Sequence, residues 1–161
     1  MVKFTSKQKT IERDENMIVE DKKIEKLCSF YVSDFHLEMI LVPYIKEKIE
    51  NKENIEIVTE KDLTETIEIL ISKMNMKEEN KQKILNLGWK QSNEIKLEDK
   101  SNIIIIGSEK YINQMNQKVE SAEIKDITTI DCYNFNEVKD NINNIVSEHD
   151  KSLNTLGIKK F

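Results

Sequence analysis

Cys28-Ser-Phe-Tyr-Val-Ser-Asp-Phe-His-Leu-Glu-Met-Ile-Leu-Val-Pro-Tyr-Ile45 reads as a buried strand, a short polar turn and an amphipathic helix. The strand is placed at Leu27–Val32. Ser33 or Asp34 caps the helix by accepting a bond from its free first-turn amides. Leu37, Ile40, Leu41, Tyr44, Ile45 and Ile49 recur at three- and four-residue spacing and define one apolar face. Pro43 falls inside that face and predicts a bend or a local irregularity. In α/β proteins a strand–turn–helix unit of this kind is the usual seat of phosphate chemistry.

The same alternation continues outward. Asn54–Thr59 is a second strand, followed by a helix faced by Leu63, Ile67, Leu70, Ile71 and Met74. Lys77–Leu87 reads as a weaker helix that stops at Gly88-Trp89, and 90–101 as a polar loop with a short strand around Ile95–Leu97. Asn102–Gly107 holds four consecutive isoleucines, the composition of a strand buried on both faces. A helix with Tyr111, Ile112, Met115 and Val119 on one side follows, then a strand at Ile127–Tyr133. One helix is expected over Asn136–Asp150, and an edge strand within Leu153–Phe161. Strands alternating with helices predict an α/β fold: an open three-layer αβα sandwich with a largely parallel sheet. The chain divides into a flexible arm at 1–23, with an edge strand at Val2–Thr5, and a single domain over 24–161.

The 161 residues suit one domain with a real core. A net charge of −5 argues against a dedicated nucleic-acid binder, which would carry a basic face. No apolar run approaches the ~20 residues that span a bilayer, and no apolar segment follows the charged start, so a cytoplasmic protein is expected. Cys28 and Cys132 fall in expected strands and read as buried thiols, with a redox pair across neighbouring strands as the alternative.

Phe30-Tyr31-Val-Ser-Asp-Phe-His, the following helix ending at Lys48-Ile-Glu-Asn, and the strand Ile55-Glu-Ile-Val-Thr resemble the start of MEDS-type sensory domains. Ile130-Asp-Cys-Tyr133 followed by Asn-Phe-Asn is similar to the late strand of that family. Those domains are relatives of the RecA/KaiC ATPase core, with a tyrosine-ended strand and an acidic turn where the ATPase has its P-loop. The resemblance spans roughly residues 27–150. It implies a sensing or regulatory domain without ATPase activity. Family members are often joined to an output module, so a free-standing copy is expected to need a separate partner.

The residues themselves also speak against a P-loop. Gly88, Gly107 and Gly157 are the three glycines, and none lies in G-x-x-x-x-G-K-[ST]. Gly107-Ser108-Glu109 admits two readings, an anion held by helix amides or a simple turn capped by Ser108. Asp34 and His36 stand at the carboxyl end of the first strand, where open α/β sheets place ligands, and Asp131 is expected to face the same crevice. Tyr31, Tyr133 and Trp89 are candidate pocket walls.

The expected function is a stand-alone sensory or regulatory domain that binds a small ligand or a signalling protein at the carboxyl ends of its strands. Tyr31, Ser33, Asp34 and His36 from the first turn, Ser108 and Glu109 from the later one, and Asp131 and Tyr133 are the expected contacts. No cofactor, nucleic acid or membrane enters this reading, and a homo-oligomer is left open. The alternative is a small metal-dependent hydrolase or transferase using Asp34, His36 and Asp131. A third reading is an interaction protein whose crevice is vestigial.

Overall fold

The computed structural model describes residues 23–161. The arm expected at 1–23 and its edge strand at Val2–Thr5 fall, Lys23 apart, outside these residues. The elements are β1 (Ile24–Tyr31), α1 (Asp34–Glu50), β2 (Asn54–Thr59), α2 (Thr64–Ser72), α3 (Glu78–Leu85), β3 (Ser101–Ile106) and α4 (Glu109–Ser121). There follow β4 (Ile127–Asn134), α5 (Phe135–Val138), a 3-10 turn (Lys139–Asn141), α6 (Ile142–Ser147), β5 (Lys151–Asn154) and β6 (Gly157–Lys160). The strands form one sheet in the order β2-β3-β4-β1-β5-β6. Five run parallel, and β6 turns back antiparallel on β5. The architecture is the three-layer α/β sandwich that the alternation of strands and helices predicts.

Why these residues form this sheet is plainest at β3, all six of whose residues are buried. Ile104 and Ile106 pack on the α1–α3 side, Ile103 and Ile105 on the α4 side. Each isoleucine withdrawn from water in this way contributes about 1.5–3 kcal/mol, which favours the centre of the sheet for this run. On one face α1 seats Leu37, Leu41 and Ile45 over Leu27 and Ile130. On the other, α4 seats Ile112, Met115 and Val119 over Ile103 and Ile105, joined by Val138 and Ile145.

The structure differs from the expectations in several elements. The expected strand at Ile95–Leu97 does not form; 92–100 is irregular and lays Ile95 and Leu97 against the α4-side core. The single helix expected over Asn136–Asp150 is broken into α5, a 3-10 turn and α6. The interruption falls at Lys139–Asn141, where the Asn141 side chain is engaged with Glu109 and Asn144. Asn134 Oδ1 accepts from the Asn136 amide at 2.9 Å, and Asn144 Nδ2 donates to Asn141 Oδ1 at 2.7 Å. The two thiols are buried, as expected, and lie on opposite faces of the sheet. Cys28 is registered with Asp131 and Cys132 with Ser29, so Cys28 enters the core under α4 and Cys132 the core under α1. Side chains on opposite faces cannot join, which removes the redox pair. Burial, aided by the Asp131 charge, pushes the Cys28 thiol up to about 11 and Cys132 well above its ordinary range.

The β5–β6 hairpin is tied to the sheet by few contacts. Only Leu27↔Lys151 and Cys28↔Ser152 register β5 on β1, and Leu153 is its one buried residue. Asp150 strengthens the junction from both sides. Its amide donates to the Lys26 carbonyl at 2.7 Å, and its carboxylate accepts from the Lys26 amide at 2.9 Å.

Candidate functional site

At the carboxyl ends of the strands, the expected contacts are engaged with each other and with the backbone. Ser33 Oγ accepts from the His36 amide at 3.0 Å and caps α1. His36 Nδ1 accepts from the Val32 amide at 3.0 Å. Asp34 accepts from Lys61, whose ammonium lies 5.2 Å from the centre of the buried Tyr31 ring. Ser108 Oγ accepts from the Tyr111 amide at 3.2 Å and caps α4, and Glu109 accepts from Asn141 at 2.7 Å. Where an anion would meet the start of α4, the protein supplies its own: Glu60 Oε1 accepts from the Ser108 amide at 2.8 Å. Gly107 makes room for this arrangement, since a Cβ there would stand 2.6 Å from the Tyr111 ring and 2.9 Å from the Glu60 side chain. Glu38, beside this edge, is not fully satisfied. It is completely buried; one carboxylate oxygen accepts from Thr66, and Oε1 has no hydrogen-bond partner among the described residues. Burial raises its pKa, with the Thr66 hydroxyl opposing.

Asp131 does not join Asp34 and His36. It lies three residues before the end of β4 and shares the α4 face with Cys28, whereas α1 covers the other face. Among the described residues no group of three His, Cys, Asp or Glu side chains is placed to hold a metal ion.

Asp131 instead forms the floor of a cleft of about 400 Å³ between α4, β1, β4 and the segment following α6. Its side chain is 1% exposed and that of His149 2%. Asp131 Oδ1 accepts from Asn116 Nδ2 at 3.0 Å, and Oδ2 lies 2.7 Å from His149 Nε2. The other ring nitrogen, Nδ1, is 2.6 Å from the Ile145 carbonyl. A carbonyl only accepts, so Nδ1 carries hydrogen, and one further proton binds Nε2 to the carboxylate. Neither ring nitrogen keeps a free lone pair for a substrate. Lys26 completes the network, donating to Asn116 Oδ1 at 3.2 Å with its ammonium 3.8 Å from Asp131. Tyr133 also lines the cleft, its ring stacked on Phe30 at 5.8 Å and edge-on to His149 at 6.2 Å.

Of the expected contacts, then, Asp131 and Tyr133 come together in one cleft, and Tyr31, Ser33, Asp34, His36, Ser108 and Glu109 stand at the strand ends. Trp89, an expected wall, is core: its indole N–H donates to the Ile84 carbonyl at 2.7 Å. Lys26, Asn116 and His149 were not singled out as contacts by the sequence. The available signal was a carboxylate inside an otherwise apolar strand, with one of only two histidines at the margin of the last apolar stripe. Compared with protein-family models, curated proteins and solved structures, the chain matches none. No helix among the described residues is long and apolar enough to cross a membrane.

Proposed function

We propose that this chain is a cytoplasmic regulatory domain of sensory type, without NTPase activity, that binds a small ligand in the cleft above Asp131 and His149. The observation that carries the reading is that cleft: an opening of about 400 Å³ floored by a buried carboxylate–imidazole pair. Sites for small molecules are concave and hold a few fixed polar groups, and this volume falls in their usual range. Absence of turnover fits the local chemistry. His149 offers no free lone pair as a general base, the thiols are held protonated, and Glu60 occupies the helix start where a phosphate would sit. A protein partner at the other end of β1 is the second reading, favoured by the exposed apolar side chains of Val32, Phe35 and Met39.

Native mass spectrometry of the purified full chain, after incubation with an extract of polar metabolites, tests the first reading. The expected result is a reproducible added mass that is lost on denaturation and absent from a Gln117→Trp variant, whose larger side chain fills the cleft. An unliganded mass, or an added mass that the variant retains, would overturn it. ATP hydrolysis by the chain with magnesium present would overturn the non-catalytic assignment.

A further inference from the structure

We propose that the chain pairs with a second copy of itself through the groove between α1 and the β5–β6 hairpin, on the opposite side of the sheet from the cleft. The hairpin turn supplies the first reason. Asn154 Oδ1 accepts from the Leu156 amide at 2.8 Å, and Gly157 takes a positive φ of 108°. Asparagine and glycine therefore make the turn, and neither needs a leucine between them. Leu156 is nonetheless 91% exposed, more than any other large apolar side chain among the described residues.

Beside this knob lies a hole of matching character. The groove, of about 330 Å³, is lined by Pro43 and Tyr44 from α1 and by Leu153 and Ile158 from the hairpin. Thr155 and Gly157, which flank Leu156 in the chain, line it too, so the leucine stands at the rim. A knob and a hole side by side are satisfied together when a two-fold axis passes between them, each leucine entering the other copy's groove. The charges are self-complementary in the same way. Glu47 lines the groove, and its carboxylate has no ion-pair or hydrogen-bond partner among the described residues. Lys160, two residues beyond Ile158 on the same face of β6, is likewise unpartnered among them. Half a turn about the axis turns the ammonium of each copy toward the carboxylate of the other. The other union open to two copies, edge to edge along β6, gathers Lys159 and Lys160 from both and is opposed by their like charges.

The test is sedimentation equilibrium of the full chain over a wide range of concentration. The expected result is a monomer–dimer equilibrium whose dissociation constant rises roughly tenfold or more in Leu156→Asp. The altered residues are exposed, and circular dichroism checks that each variant folds. Glu47→Lys alone should weaken the dimer, and Glu47→Lys combined with Lys160→Glu should restore it. A monomer at every concentration, a dimer that Leu156→Asp leaves intact, or a double variant that associates no better than Glu47→Lys would each overturn the proposal.

Discussion

Glu38 pairs one oxygen with Thr66 and leaves the other without a partner among the described residues, in a fully buried position. An ionised carboxylate is costly there, so its folded-state pKa lies above the ordinary value near 4.3. The folded state then holds the proton more tightly than the unfolded chain. Glu38 therefore costs nothing while both states are protonated, and it lowers stability as pH rises through the ordinary carboxylate range toward the raised value. Glu38→Gln should be more stable than the parent at pH 7.5, with the gap closing near pH 4, as read from urea midpoints at both pH values. A gap independent of pH would show that Glu38 is ionised in the fold at no cost. The Asp131–His149 pair behaves differently because each group answers the other. Asp131→Leu or His149→Leu alone should cost roughly 3–5 kcal/mol, since each leaves a buried polar group unmatched. The double replacement should cost clearly less than the sum, and simple additivity in the same urea titrations would mean that the pair is not coupled.

At the scale of elements, α1 runs from Asp34 to Glu50 straight through Pro43. Proline there removes one intrahelical hydrogen bond and crowds the carbonyl one turn earlier, while its own ring is exposed. Pro43→Ala should stabilise the protein by on the order of 1–3 kcal/mol, and an unchanged urea midpoint would show that the helix absorbs the ring without strain. This helix was legible in the sequence because Leu37, Ile40, Leu41, Tyr44 and Ile45 recur at helical spacing, and all five are buried. The strand β3 was legible from its unbroken isoleucines. The last helix was misread for a physical reason: Val138, Ile142, Ile145 and Val146 keep the helical period, but period reports which side chains are buried and not where the backbone tightens to a 3-10 turn. The start of β1 was placed three residues late, because Ile24-Glu-Lys carries little apolar signal and owes its strand geometry to pairing with Ile127–Thr129.

At the scale of the molecule, the layers follow from alternation alone, but the cleft does not. Lys26 and Asn116 are 90 residues apart and Asp131 and His149 18 apart, brought together only once β1 and β4 are neighbours. Strand order is not written in local periodicity, so the sequence reading set Asp131 in the same crevice as Asp34 and His36. The β5–β6 hairpin carries a further consequence of that order. It is held to β1 by two registered pairs, the Asp150 clamp, the Ser29 hydroxyl on the Leu153 carbonyl, the Lys151–Glu25 ion pair and one buried leucine, whereas β3 is sealed between two layers. Opening the hairpin should therefore require far less free energy than opening β3. In native-state hydrogen exchange, amides of β5 and β6 should take up deuterium well before those of Ile103–Ile106, and equal rates would mean that the sheet opens as one cooperative unit. Lys26 belongs both to the clamp that holds this seam and to the floor of the cleft, so a molecule seated there would be registered as slower breathing at the molecule's far edge.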